Sequence, residues 1–325
     1  MKAIVQDAYG HAGVLALRDV ARPVPKDDEV LVEVRAAGVD PGVWIFMTGT
    51  PYAARLVSGL RRPKVGVRGR AFAGVVAEAG SRVTGFGPGD EVYGTSALGT
   101  YAELVVARPD RLAAKPARLS FAQAAAVPIS GVTALQAVRE GDVREGRRVL
   151  VVGAAGGIGT FAVQIAAARG ARVTGVCGSG KAGLVRSIGA ADVIDYTHEE
   201  VDRDGPVYDL IIDIAGMRPL SLLRRALTPR GTLVLVGGGH QRGAVLGGME
   251  RQMGAPLTAL FSGQRLRPLM GRENAPDLEE LGRLIDSGDV TPVIGRTYPL
   301  DQTAEALRHI EAGHPTGKIV VTVGD

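Results

Sequence analysis

Val149-Leu150-Val151-Val152-Gly153-Ala154-Ala155-Gly156-Gly157-Ile158-Gly159 is the stretch on which the fold turns. Four consecutive apolar residues read as a strand buried on both faces, as in a parallel sheet. A glycine turn follows, and the spacing from Gly157 to Arg169 predicts a helix. Set against the pattern G-x-G-x-x-G, Ala154 takes the first glycine position, and Gly156 and Gly159 take the others. Gly156 lets the backbone approach a pyrophosphate, with Ala155, Gly157 and Ile158 beside it, and Gly159 lets the helix pack closely on the strand. The helix N-terminus then presents free N–H groups to the anion. The motif alone is weak evidence. A buried strand before it, a helix after it and a second strand on schedule supply the context it needs. The competing reading is a glycine turn kept only for packing.

The second strand bears on which nucleotide is bound. A site for NAD usually places Asp or Glu ~20 residues downstream, on the ribose 2′-hydroxyl. Here Arg172–Val176 runs into Cys177-Gly178-Ser179-Gly180-Lys181, and no acidic residue occurs from Arg172 through Ala191. A carboxylate there would repel a 2′-phosphate. Ser179 and Lys181 can instead donate to one, with Tyr196 at the end of the third strand as a further donor. NADPH is therefore the expected cofactor. The alternative is an exposed Ser and Lys on a loop.

Working outward, Asp192–Ile194, Leu210–Ile214 and Thr232–Val236 alternate with helical stretches, the pattern of a doubly wound parallel sheet and an α/β fold. The first ~110 residues read differently, as short strands at short intervals. Glu29–Val34, Phe72–Glu78, Asp90–Tyr93 and Tyr101–Ala107 are separated by breakers such as Gly85-Phe86-Gly87-Pro88-Gly89, which predicts a small antiparallel β domain. Ser120 is placed to cap an alanine-rich helix, and Gly131–Glu140 resumes helical periodicity after Pro128. Beyond the parallel-sheet region, helices are expected near Asp277–Ser287 and Gln302–Glu311, and a strand over Lys318–Val323. Domain boundaries follow at 1–122, 123–262 and 263–325.

Composition removes several classes. The single cysteine, Cys177, allows no intrachain disulfide and no four-thiolate zinc site. No apolar run reaches the ~18–20 residues of a membrane span, so no membrane association is expected. Met1–Asp7 reads directly into a strand, without the basic and apolar regions of a signal peptide, and the cytoplasm is the expected compartment. The net charge of +4 is too small an excess to argue for nucleic acid.

Four further motifs carry a resemblance. Gly69-Arg70-Ala71-Phe72-Ala73-Gly74-Val75-Val76 has the spacing G-H-E-x-x-G-x-V, and Pro88-Gly89-Asp90-Glu91-Val92 fits P-G-D-x-V. Gly131-Val132-Thr133-Ala134 fits G-x-T-A, and Gly313–Val320 fits a closing strand. With the order of elements, these make the chain similar to the medium-chain dehydrogenase/reductase superfamily over nearly its whole length. Gly153 through Gln164 resembles its zinc-independent quinone oxidoreductase (zeta-crystallin-like) branch, although Arg147 and Ala167 depart from that pattern. The resemblance implies a GroES-like β-barrel catalytic domain, a Rossmann NADPH-binding domain and a C-terminal segment returning to the first. It also implies that Lys181 and Tyr196 hold the 2′-phosphate. Thr133, Ala215, Gly237 and Gly238 join the cofactor-binding set, and His240 joins the substrate side. A homodimer is expected through the apolar edge Leu257–Phe261, whose alternative is an internal edge strand.

Zinc-dependent relatives need a Cys, a His and a third ligand. Here Asp40 stands near the Cys position, Arg70 replaces the His, and Ala71 the following Glu, so no metal is expected. Without one, hydride donation from the cofactor suits an electron-poor acceptor, a quinone or an enone. A carbonyl or alcohol oxidoreductase, a dedicated biosynthetic reductase and a weakly catalytic protein binding NADPH and nucleic acid stand as alternatives. Tyr52 is the candidate proton donor, or packs on the cleft wall. Asp40 orders a water or substrate, or is a turn residue before Pro41. Arg70 binds a substrate anion, or pairs with a nearby carboxylate, the favoured reading. Trp44 and Phe46 shape an apolar pocket. Arg55, Arg61, Arg62, Lys64, Arg68 and Arg70 form one basic cluster, read first as a solvated loop and otherwise as a rim for anionic substrate or nucleic acid.

Overall fold

The computed structural model describes residues 1–237, 251, 252, 254, 263–313 and 315–324. The chain forms two compact units. The first comprises Met1–Val132, Glu273–Gly288 and Pro292–Asp325, and the second Thr133–Arg272 and Asp289–Thr291.

In the first unit, β1 (Lys2–Gln6) and β2 (Leu15–Asp19) form an antiparallel hairpin. β3 (Val30–Val39) is the spine of a larger sheet, which it forms with β4 (Ala71–Ala79), β5 (Glu91–Thr95), β6 (Leu104–Ala107) and β7 (Leu112–Ala114). Apolar residues along β3 and β4 bury Val30, Val32, Val34, Phe72 and Val76 in one core. Gly74 sits where β4 crosses β3. A Cβ there would lie 2.0 Å from the Glu33 carbonyl oxygen, so only glycine lets the strands approach. Two helices follow β3, α1 (Pro41–Thr48) and the short α2 (Arg55–Ser58). α3 (Phe121–Ala125) starts on the expected cap, since Ser120 and Gln123 bond each other's backbone N–H reciprocally. α4 (Ser130–Glu140) comes next.

The second unit is built on β8 (Arg148–Val152), α5 (Gly157–Ala168), β9 (Arg172–Cys177), α6 (Ala182–Ser187) and β10 (Asp192–Asp195), followed by β11 (Tyr208–Asp213), α7 (Leu220–Ala226), β12 (Leu227–Leu235) and β13 (Arg265–Pro268). The sheet order is β10-β9-β8-β11-β12-β13, with every pair parallel. The direction in which successive strands are added reverses between β8 and β11, the switch point outside which dinucleotides bind.

The C-terminal part returns to the first unit as α8 (Ala275–Asp286), β14 (Ile294–Pro299), α9 (Thr303–Glu311) and β15 (Lys318–Thr322). β15 pairs antiparallel with β3, but β14 pairs parallel with β15. That departs from the wholly antiparallel domain expected from the strand spacing. The crossover through α9 is what allows a parallel pair.

Candidate functional site

The glycine turn joins β8 to α5. Gly153 has φ +90°, a left-handed conformation that a side chain would strain. Its N–H and that of Ala154 both donate to the Val176 carbonyl at the end of β9, at 3.1 and 3.0 Å, which fixes the turn against the neighbouring strand. A Cβ on Gly159 would lie 2.1 Å from the Gly153 carbonyl oxygen, whereas one on Gly156 would meet that oxygen at 3.5 Å and nothing closer. Gly159 therefore serves packing, and Gly156 leaves open backbone in front of the first turn of α5, whose N–H groups have no partner within the helix. This cradle fits a dinucleotide pyrophosphate. Gln164, five residues beyond Gly159, accepts from the Thr291 N–H at 2.8 Å and donates to its carbonyl at 3.1 Å, so that side chain is a backbone clasp.

At the end of β9, Cys177 is buried and faces Asp195 of β10 in register. Burial pushes the Cys177 thiol up, Asp195 adds to this, and Lys181 and Arg186 oppose it. Lys181 sits in the turn after β9, where burial lowers its ammonium pKa. Ser179 donates to Asp195, as do the Thr197 N–H at 3.0 Å and hydroxyl at 2.7 Å, and these bonds hold the carboxyl at about 2. Asp195 lies beyond the acid-free stretch from Arg172 through Ala191. It places a carboxylate one strand over from the 2′-hydroxyl position, bonded to the serine assigned to the phosphate. The Tyr196 ring stands by Gly178, whose Cβ would lie 3.5 Å from the phenol oxygen.

Ala215 lies in the turn after β11, and its N–H donates to the Val152 carbonyl at 3.3 Å. Gly237 packs so tightly that a Cβ would fall 1.9 Å from the Ile214 carbonyl oxygen. Asp213, at the end of β11, is wholly buried and pairs with Arg251 at 2.6 Å. It also accepts from the Gly216 N–H at 3.1 Å. Burial raises the Asp213 carboxyl, and the Arg251 charge opposes that. No sequence motif marks this pair. Thr133 stands in α4. Gly238, His240 and Leu257–Phe261 lie outside the described residues.

In the first unit, Asp40 precedes α1 in the N-cap position, though its side chain makes no cap bond. Pro41 sits in the first turn, and Gly49, at φ +62°, ends the helix. The Asp40 carboxylate is instead paired with the Lys318 ammonium of β15. It also accepts from the Ser130 hydroxyl at 3.3 Å. Lys318 donates further to the Val39 carbonyl at 3.1 Å. Asp40 and Lys318 are 4% and 3% exposed, so this ion pair is sealed from water. One oxygen of Asp40 and, one helical turn on, the indole N–H of Trp44 are buried without a hydrogen-bond partner among the described residues. Tyr101, wholly buried, donates to the Gly38 carbonyl at 3.3 Å, and burial together with Asp40 pushes its phenol far up.

Arg70 bonds Glu273 at 2.8 Å, and Arg111 bonds the same carboxylate at 2.9 Å. Tyr52 is half-exposed in the turn before α2, with the Arg55 guanidinium 4.8 Å from its ring centre. Asp40, Arg70 and Tyr52 thus belong to three separate contacts of the first unit.

Two family matches fit these parts. Residues 26–117 match "Alcohol dehydrogenase GroES-like domain", and 188–321 match "Zinc-binding dehydrogenase". The chain is 33% identical to mouse (Mus musculus) "NAD(P)H oxidoreductase RTN4IP1, mitochondrial", over 99% of this chain and 89% of that one. It is 34% identical to the "Quinone oxidoreductase" of Pseudomonas aeruginosa, over 98% and 99%. The solved quinone oxidoreductase of Coxiella burnetii superposes with a TM-score of 0.83 at 30% identity, over 100% of this chain and 99% of that chain. Fold and site therefore define an NAD(P)H-dependent oxidoreductase of the quinone and enone reductase type. The chain belongs to the medium-chain dehydrogenase/reductase superfamily, in its quinone oxidoreductase branch.

The zinc in the second family's description does not fit the residues present. A buried ammonium already neutralises Asp40 and would repel a dication, and Arg70 adds a second cation where the family pattern has a histidine. Among the described residues no three His, Cys, Asp or Glu side chains gather as ligands. No described helix is long and apolar enough to cross a membrane.

Proposed function

We propose that this chain is an NADPH-dependent, zinc-independent reductase of quinones or of alkenes activated by a conjugated carbonyl. The observation that carries the reading is the buried Asp40–Lys318 pair, which takes the place of a metal ligand with a charge pair that needs no metal. Bound at the glycine turn, NADPH supplies a hydride from its nicotinamide. The open backbone at Gly156 and the first turn of α5 receive the pyrophosphate, while Ala155, Gly157 and Ile158 line it. Thr133, Ala215 and Gly237 complete the groups assigned to the cofactor. Lys181, Tyr196 and Ser179 receive the 2′-phosphate, with Ser179 exchanging its bond to Asp195 for one to the phosphate.

A quinone that gains this hydride and one proton leaves as hydroquinone, with NADP⁺ as the other product; an enone gains the same two at its double bond. Tyr52 is assigned the proton, and Trp44 the acceptor's carbonyl oxygen, because its indole N–H is a buried donor with no partner among the described residues. Asp40 acts through Lys318 as a positioning residue that sets the start of α1, and so where Trp44 stands. Arg70, already shared with Arg111 on Glu273, shapes the rim.

NADPH oxidation across quinones, enals, enoyl thioesters and simple ketones tests the reading. Turnover of quinones or enones is expected. Turnover confined to ketones, with stoichiometric zinc and loss on chelation, would overturn it. Lys181→Met is expected to raise the KM for NADPH by about 10- to 100-fold, the loss of a charge-assisted phosphate contact, and to leave that for NADH nearly unchanged. Equal effects on both cofactors would remove Lys181 from the phosphate site.

A further inference from the structure

The segment after α1 presents its apolar side chains outward, and the contacts beneath it hold it that way. The Arg55 guanidinium lies between the rings of Tyr9 and Tyr52, at 4.5 and 4.8 Å from their centres, and its Nε donates to the Gly49 carbonyl at 3.0 Å. The Tyr9 hydroxyl bonds Ser58 at 2.7 Å and donates to the Gly59 carbonyl at 2.6 Å. Gly59, at φ +119°, turns the chain so tightly that a Cβ would fall 2.2 Å from the Arg62 carbonyl oxygen. Every polar group of α2 named here faces inward. Leu56, Val57 and Leu60 face water, 73%, 75% and 68% exposed within five residues. Directly beyond them stand Arg61, Arg62 and Lys64. Their side chains make no ion pair among the described residues, and no acidic residue occurs from Pro41 through Ala77.

We propose that this loop docks the protein on an anionic phospholipid surface, where Leu56, Val57 and Leu60 enter the headgroup boundary and Arg61, Arg62 and Lys64 bind its phosphates. Three exposed apolar side chains within five residues, followed by cations with no ion pair among the described residues, match a surface that is apolar within and diffusely negative outside. An acidic protein partner would be met by cations in fixed geometry, and these three side chains make no ion pair among the described residues. Nucleic acid would be met by stacking rings, and Tyr52 is already covered by Arg55. Quinones with long isoprenoid tails dissolve in bilayers, so the loop that carries Tyr52 would meet its acceptor at the membrane. This last step, though not the docking itself, rests on the quinone-reductase reading.

The experiment uses the whole chain and vesicles of phosphatidylcholine alone or mixed equally with phosphatidylglycerol. Sedimentation with the mixed vesicles is expected, weakened by salt, and none with phosphatidylcholine alone. The triple variants Leu56→Ser/Val57→Ser/Leu60→Ser and Arg61→Glu/Arg62→Glu/Lys64→Glu should each weaken binding about tenfold or more. Both should reduce a water-soluble benzoquinone as the parent does, while losing activity on a long-tailed quinone embedded in the vesicles. Absence of vesicle binding at low salt overturns the proposal. So does binding that only the charge variant loses and that RNA competes away, or a shift in oligomeric state caused by the apolar variant. Vesicle binding with no reduction of either quinone would leave the docking surface standing and remove the quinone reading.

Discussion

Lys318→Met is expected to lower the unfolding free energy by about 3–5 kcal/mol, because it leaves the Asp40 carboxylate buried with no cation. Methionine matches the length of the lysine stem, so packing around β15 is kept and the loss is electrostatic. Asp40→Asn alone should also destabilise, since the ammonium then keeps only the Val39 carbonyl and a neutral amide. The double variant Asp40→Asn/Lys318→Met should be milder than the sum of the two. Denaturant unfolding of the four chains gives the coupling directly. Effects that add to within about 0.5 kcal/mol would mean the pair contributes nothing as a pair, and the reading of Asp40 as a positioning residue would fall with it.

That pair shows where reading the sequence reaches its limit. Asp40 and Lys318 lie 278 residues apart, and no local pattern connects them. The same holds for Glu273, which Arg70 reaches across 203 residues, and for Asp213 with Arg251. Pairing of Arg70 with a carboxylate was legible as chemistry; which carboxylate was not. By contrast, β8, the glycine turn and α5 were readable because a run of buried residues, a φ-permissive turn and a helical repeat all agree over a single stretch. α1 is hard to read in the sequence although Asp40, Pro41 and Gly49 are ordinary start and stop signals. Its eight residues are apolar all round, so no amphipathic period announces it. β13 is obscure in the sequence for another reason. Arg265-Leu266-Arg267-Pro268 is short, charged and ends in proline, and it is a strand because β12 offers its backbone a partner.

The glycine turn gives the sharpest division between folding and binding. Gly159→Ala would set a methyl group 2.1 Å from the Gly153 carbonyl oxygen and 2.8 Å from the Ala154 carbonyl carbon. Both are backbone atoms of the turn itself, so no flexible side chain can yield, and α5 must move off β8. The expected loss is at or above the ~3 kcal/mol upper end for overpacked cores, read as a large fall in Tm or as failure to fold. Gly156→Ala differs by three residues and by kind. Gly156 has φ −83°, a backbone any residue adopts, and the nearest atom to the new methyl would be 3.5 Å away. This variant should therefore unfold like the parent. Its methyl would stand on the open backbone assigned to the pyrophosphate, and NADPH should bind about tenfold more weakly or worse, measured by the change in cofactor fluorescence on titration. A Gly156→Ala chain that binds NADPH as tightly as the parent would place the pyrophosphate elsewhere. In that case the glycines of this turn would serve packing alone, the competing reading with which the motif began.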